Sequence, residues 1–113
     1  MRSFAEVRSP FRVLAARQAR AGFDEGVAAY KRGDYATAFR KFRPLAEQGN
    51  ANAQFALGVV NGRGEGVPQD HVQAYKWFNL SAAQGDAKAQ EGRDITAEVM
   101  TPAQIAEAQR LAR

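Results

Sequence analysis

Residues 33–56 read GDYATAFRKFRPLAEQGNANAQFA, and residues 69–92 read QDHVQAYKWFNLSAAQGDAKAQEG. Laid over each other at an offset of 36, they are identical at nine of 24 positions, where chance would give about two. Alanine and aromatic residues recur at intervals of four, along one stripe of a helix. The stretch therefore predicts stacked helical units. The identical pairs are Asp34/Asp70, Ala38/Ala74, Phe42/Phe78, Ala46/Ala82, Gln48/Gln84, Gly49/Gly85, Ala51/Ala87, Ala53/Ala89 and Gln54/Gln90.

Residues that begin and end helices stand at matching places around this repeat. The residues suited to cap helix N-termini are Asp34, Asn50, Asp70, Asp86 and Thr101, and Gly49 and Gly85 suit left-handed helix ends. No segment alternates with a period of two, so no strand is predicted. The pattern predicts helices over 10–21, 23–32, 35–48, 51–61, 70–84, 87–99 and 102–113. The last six pair into three hairpins, which predicts an all-α fold, a right-handed α-α superhelix or solenoid.

The second unit carries a more specific pattern. Residues 51–85 resemble the SEL-one-like repeat family, which is related to the tetratricopeptide repeats. The matching residues are Ala53, Gln54, Leu57, Gly58, Gly64, Gly66, Val67, Asp70, Ala74, Trp77, Ala82, Ala83 and Gly85. Residues 23–49 are similar to a plain tetratricopeptide unit, and 86–113 are a degenerate third unit. The resemblance implies a repeat domain over 23–113, with units 23–49, 50–85 and 86–113.

The net positive charge of the chain comes from its N-terminal arm, residues 1–22. The whole chain has a net charge of +4. The arm holds five arginines against Glu6 alone, whereas residues 23–113 hold eleven basic and eleven acidic residues. The repeat domain therefore has no bias toward nucleic acid, and nucleic-acid binding is not expected of it.

The arm also contains an amphipathic segment that could cover the first hairpin. Ser9 and Pro10 are a typical helix start, and Phe11 and Leu14 share one face of the helix that follows. We expect helix 10–21 to cap the repeat array, either within the chain or across a homodimer, and residues 1–8 to be loose. A secretory signal needs an apolar core that the arm lacks, and no apolar run is long enough to span a membrane. A cytoplasmic location is therefore expected, with export to the periplasm as the alternative that the family resemblance implies.

The residue types needed for catalysis or metal binding are scarce. The sequence has no cysteine, and His71 is its only histidine. The glycine-rich stretch 62–66 lacks the Lys-Ser/Thr pair of a phosphate-binding loop and follows a predicted helix instead of a strand. We therefore expect neither an enzyme nor a bound cofactor or metal.

Several apolar side chains fall away from the core stripe of their helices. At 100° per residue, Phe55 and Val59 point roughly opposite to Ala53, Leu57 and Val60. The resemblance implies that the first helix of each hairpin lines a concave face, while burial between neighbouring helices is the alternative. The candidate partner-binding residues on that face are Val27, Asn52, Phe55, Val59, Lys88, Glu91 and Ile95.

These observations predict an adaptor or scaffold that binds a peptide or protein segment on its concave surface. The apolar side chains would anchor the partner, and Asn52, Lys88 and Glu91 would select it. The alternative is binding of nucleic acid or another anionic surface through the basic arm.

Overall fold

The computed structural model describes the backbone of residues 4–113 and the side chains of residues 13–113. Its six helices are α1 (Phe4–Lys31), α2 (Tyr35–Glu47), α3 (Ala51–Arg63), α4 (His71–Ala83), α5 (Ala87–Ala97) and α6 (Pro102–Leu111). The described part of the chain contains no strand. Successive helices from α1 to α5 pack against each other, and α3 also contacts α5. The predicted all-α solenoid is confirmed.

Each helix from α2 onward begins at the predicted capping residue. The side chain of Asp70 accepts a hydrogen bond from the backbone N–H of Gln73 at 3.1 Å. Asp34, Asn50 and Asp86 cap α2, α3 and α5 in the same way. Thr101 and Gln104 form the reciprocal capping box that starts α6. Local sequence therefore sets these helix starts.

Left-handed glycines end two of the helices where the repeat predicts them. Gly49 and Gly85 have φ angles of +97° and +98°. The helix predicted to end at Asn61 instead continues to Arg63, with Gly64 as its left-handed cap. The amide of Asn61 donates to the Leu57 carbonyl at 2.9 Å, so this buried side chain is satisfied inside the helix and does not end it.

The arm differs most from the prediction. The segments 10–21 and 23–32 form one continuous helix, which begins at Phe4. The helix continues through Gly22, whose backbone packs near Leu45. A Cβ atom at Gly22 would lie 3.5 Å from the Leu45 side chain, in ordinary contact. Residues 13–18 are exposed, so this part of the predicted cap does not pack on the first hairpin of its own chain. Of the residues 1–8 predicted to be loose, 4–8 are helical and 1–3 lie outside the described backbone.

Two apolar clusters hold the units together. One is built around Phe42, Leu57 and Trp77, and it is contacted by half-buried Ala19 and Phe23 of α1. The other joins Ala74, Phe78 and Ala89, and so links α4 with the following α5. The repeated Phe42 and Phe78 are 2% and 5% exposed, as expected of the core stripe.

Glutamine side chains join the inter-helix turns at one end of the hairpins. Gln54, which is buried, donates to the Ala46 carbonyl at 3.1 Å. The amide of Gln84 reaches the Gly49 carbonyl at 2.8 Å and the side-chain oxygen of Gln54 at 2.9 Å. Ser81 donates to the Ala51 carbonyl at 2.8 Å. These bonds fix the register of the second hairpin on the first.

The third unit is looser than the first two. Helix α6 packs chiefly against α4 instead of pairing closely with α5. Ala108 is its buried contact, and Gln109 donates to the Tyr75 hydroxyl at 3.4 Å. As a result, part of the surface of α5 is exposed, including Ile95 near its C-terminal end.

Candidate functional site

Two adjoining hollows lie along the face formed by α1, α3 and α5. The α1–α3 hollow has a volume of about 470 Å³ and includes Phe23 and Tyr30 in its lining. The α3–α5 hollow has a volume of about 570 Å³ and includes Phe78 of α4. Phe55, Val59 and Arg63 line both, so the two hollows form one continuous groove.

All seven predicted partner-binding residues line this groove. Val27 and Asn52 lie in the α1–α3 hollow. The α3–α5 hollow contains Lys88, Glu91 and Ile95. Phe55 and Val59 stand at the boundary between the hollows. The structure therefore brings together residues that are up to 68 positions apart in the sequence, from Val27 to Ile95.

Phe55 and Val59 are not free surface anchors. Both are half-buried and pack against the cluster of Ala74, Phe78 and Ala89. The ring centroids of Phe55 and Phe78 are 5.6 Å apart, with the rings tilted by 54°. The two predicted anchors thus form the floor of the groove while supporting the core beneath it. Ile95, at 57% exposure, is the most exposed apolar side chain among the seven predicted residues.

Residues outside the predicted set also line the groove, and four of them bear on its chemistry. These are Tyr30, Arg63, His71 and Val99. Three of them lie about one helical turn beyond a predicted partner-binding residue: Tyr30 follows Val27 by three residues, while Arg63 and Val99 follow Val59 and Ile95 by four. Extending the predicted set by one turn along each helix would have found them. His71 reaches the groove from the start of α4, and no pattern in the sequence indicates it.

Polar groups at the end of the α1–α3 hollow are linked by hydrogen bonds. The Tyr30 hydroxyl donates to Glu65 at 2.8 Å and accepts from Arg63 at 3.0 Å. Burial raises the pKa of Tyr30, and the carboxylate of Glu65 raises it further, while Arg63 acts in the opposite direction. The network ties the loop after α3 to the first hairpin and fixes the position of Arg63 beside the groove.

The groove offers apolar contact and mixed charge. Arg63 and Lys88 contribute positive charge and Glu91 negative charge. No group of three or more His, Cys, Asp or Glu residues within the described side chains could hold a metal ion. Such a lining suits recognition of a peptide or protein segment better than polar chemistry on a small molecule.

Across the described helices, none combines the length and apolar character needed to cross a membrane.

The stacked hairpins and the groove on one of their faces define a helical-repeat protein of the α-solenoid class. The family model of the Sel1 repeat matches residues 51–86. The chain is similar to a solved protective antigen of uropathogenic Escherichia coli strains that displays an SLR fold. That similarity has a TM-score of 0.76 and 33% sequence identity over 90% of this chain. The chain therefore contains a Sel1 repeat over residues 51–86 and has the SLR type of helical-repeat fold.

A curated relative is similar over a shorter range. An exopolysaccharide production negative regulator from Rhizobium leguminosarum bv. viciae is 36% identical over 63 residues, which is 56% of this chain. The chain spans 24% of that regulator and 23% of the Escherichia coli antigen. Sel1 repeats generally mediate protein–protein interaction and are not typically enzymatic.

Proposed function

We propose that this chain is a protein-interaction module that binds a peptide or protein segment in the groove along α1, α3 and α5. The observation that carries the proposal is the convergence of apolar side chains from three separate helices on one continuous hollow. Apolar side chains that line a hollow without filling it are favourable contacts for a partner.

The lining indicates the chemistry of the partner. Val27, Phe55, Val59 and Ile95 offer apolar contact along the groove, so the bound segment carries apolar side chains at intervals. Asn52 supplies a side-chain amide between them. Lys88 and Glu91, three residues apart on α5, add one charge of each sign. Mixed charge at the rim favours a partner with both signs of charge over a strongly acidic or basic one.

The size of the groove limits the affinity. Two hollows of about 470 and 570 Å³ accept only a few side chains. The entropy lost on ordering a flexible peptide offsets much of the gain from that contact. We expect dissociation constants of about 1–100 µM for a single linear segment.

A peptide-display selection tests the proposal. A random peptide library is selected on the immobilised full chain, and the enriched peptides are titrated by calorimetry. Ile95→Ser removes an exposed apolar side chain of the groove and should weaken binding about tenfold. Leu111→Ser is the matched control, because Leu111 is an exposed apolar residue on α6 that does not line the groove.

The Leu111→Ser variant should bind the peptides as the unmodified chain does. Enriched peptides that bind equally to Ile95→Ser, to Val27→Ser and to the unmodified chain would contradict the groove as the binding site. Failure to enrich any sequence above the background of the empty support would contradict peptide binding itself.

A further inference from the structure

The exposed large apolar side chains fall into distinct patches. Val13 and Leu14 are 45% and 55% exposed on α1, and Ile95 and Val99 are 57% and 65% exposed at the other end of the repeat array. Leu111 on α6 is separate from both in sequence. Two of these patches carry opposite charges around them, which makes them complementary to each other.

The first patch belongs to a basic amphipathic helix. In sequence, Phe4, Val7, Phe11 and Leu14 recur at spacings of three, four and three, along one stripe of α1. Arg8, Arg12 and Arg17 are interleaved with them. Residues 13–18 are exposed, and the first residue of α1 with a described core contact is Ala19. In sequence, the first half of α1 therefore carries an apolar stripe with basic flanks, and its residues 13–18 are not covered by their own chain.

The second patch, the α5 ridge, consists of Glu91, Ile95, Glu98 and Val99. Glu91 and Val99 lie four residues before and after Ile95, and Glu98 lies three after it, so all four share one side of the helix end. Glu91 and Glu98 are exposed. Asp94, next to them, is paired with Arg93 at 3.2 Å. Among the described side chains, neither glutamate of the ridge takes part in an ion pair.

The α5 ridge places charge at the unfavourable end of a helix. Glu98 is the C-cap of α5, where the helix dipole is negative. A neighbouring basic segment would relieve this, and the arginines of the arm lie in the first half of α1. The N-terminal part of α1 beside the C-terminal end of α5 is an antiparallel arrangement.

We infer that the first half of α1 from one copy of this chain docks antiparallel on the α5 ridge of a second copy. Leu14 and the apolar stripe before it cover Ile95 and Val99, while the interleaved arginines face Glu91 and Glu98. The contact is heterologous, because two different surfaces of the same chain meet. The inference rests on the proposed function, since Glu91 and Ile95 also line the groove. It names the first half of α1 from a second copy as the occupant of the α5 end of that groove.

Sedimentation velocity of the full chain at low and high salt is the first test. At low salt the chain should sediment above the monomer mass and shift toward the monomer as salt is raised. Leu14→Glu and Ile95→Arg should each weaken self-association at least about tenfold. Leu111→Arg is the control, and it should leave self-association unchanged. Both altered positions are more than half exposed, so circular dichroism should show an intact fold.

Mixing the two defective variants distinguishes this contact from pairing of two arms. The Leu14→Glu chain keeps an intact ridge, and the Ile95→Arg chain keeps an intact arm. Each alone should be monomeric, yet their mixture should form a one-to-one complex. Pairing of arm with arm predicts instead that the Ile95→Arg chain alone still self-associates, and that the mixture forms no one-to-one complex because the Leu14→Glu arm is defective.

Charge reversal provides an independent check. Arg12→Glu with Arg17→Glu should abolish self-association, and so should Glu91→Arg with Glu98→Arg. Mixing these two charge-reversed chains should restore association, because the reversed arm of one chain then meets the reversed ridge of the other with opposite charges. The affinity in the mixture should lie within about threefold of that of the unmodified chain.

A chain that stays monomeric at low salt up to its solubility limit would overturn the inference. The inference would also be overturned, in favour of an anionic surface, by a monomeric chain that binds vesicles rich in phosphatidylserine. The variant Arg12→Glu with Arg17→Glu would then fail to bind those vesicles. The proposed function is tested separately with Val27→Ser, which lies outside the ridge. If Val27→Ser no longer binds the selected peptides and the unmodified chain does not self-associate, the proposed function stands and only the inference is overturned.

Discussion

The ring of Phe78 lies so close to the backbone of Gly58 that a Cβ atom at Gly58 would stand 2.5 Å from two ring carbons. Phe42 has the same relationship to Gly26 in the preceding hairpin, also at 2.5 Å. Gly92 of α5 approaches Phe78 from the next unit, where a Cβ would lie 2.9 Å from the ring. A phenylalanine on the second helix of a hairpin set against a glycine on the first is therefore the repeated contact that brings these helices together.

Gly58→Ala should destabilise the fold by about 1–3 kcal/mol, because the added methyl group overlaps the Phe78 ring. Gly62→Ala on the same helix is the matched control. A Cβ there would lie 3.5 Å from that of Ala74, in ordinary contact, and replacing a helical glycine should stabilise by up to about 1 kcal/mol. Urea unfolding followed by circular dichroism measures both. Equal effects of the two substitutions would contradict the close approach.

Phe78→Ala should cost about 3–5 kcal/mol of unfolding free energy, because the side chain is buried and its loss leaves a cavity between α3, α4 and α5. Val99→Ala, at a highly exposed position, should change stability by less than about 0.5 kcal/mol. The measurement is again chemical unfolding. A loss below about 1 kcal/mol for Phe78→Ala would show that the second core cluster does not support the repeat.

The parts of the fold that sequence predicts are those set by local chemistry. Asp70 caps α4 and Gly85 ends the turn after it, since both act on backbone groups within a few residues. The repeated core stripe placed Phe42 and Phe78 correctly in the interior. Alignment of the repeat units also identified side chains that share the groove, including Val27 and Ile95.

The parts that sequence reasoning missed depend on distant contacts. Gly22 reads as a break, but its backbone lies against Leu45 and the helix continues through it. The half-burial of Phe55 depends on the ring of Phe78, which another helix supplies. The contact of Tyr30 with Glu65 joins residues 35 positions apart. Periodicity reports which face of a helix a residue occupies, but not which element covers that face.

Stability should fall with rising pH in the alkaline range through Tyr30. Its pKa is raised above the ordinary value of 10.0, chiefly by burial and then by Glu65. A raised pKa in the folded state means that the stabilisation is present below the unfolded pKa and is lost as pH rises through the folded one. Tyr30→Phe should therefore cost about 0.5–1.5 kcal/mol near neutral pH, and the difference from the unmodified chain should shrink above pH 10. Thermal melts across that range measure it.

Glu65→Gln is the control for the cause of this shift. The amide keeps an oxygen that accepts from the Tyr30 hydroxyl but removes the negative charge that opposes its ionisation. Because the pKa of Tyr30 in the folded state is then raised less, the alkaline loss of stability should be smaller than in the unmodified chain and complete at a lower pH. Identical pH profiles for the unmodified chain and Tyr30→Phe would contradict the assigned role of Tyr30.

Helix α1 should divide into two regions of different local stability when the chain is monomeric. Residues 13–18 are exposed, whereas Gly26 and Ala29 in the same helix are buried. A helical segment without tertiary contacts is only marginally stable in water, so its amides open locally. In the Ile95→Arg variant, amides of residues 13–18 should exchange with solvent at least about a hundredfold faster than those of residues 26–31. Hydrogen exchange read by mass spectrometry measures this, and Leu111→Arg is compared under the same conditions. The two regions exchanging at the same slow rate would mean that contacts within one chain stabilise residues 13–18, against the exposure on which this prediction depends.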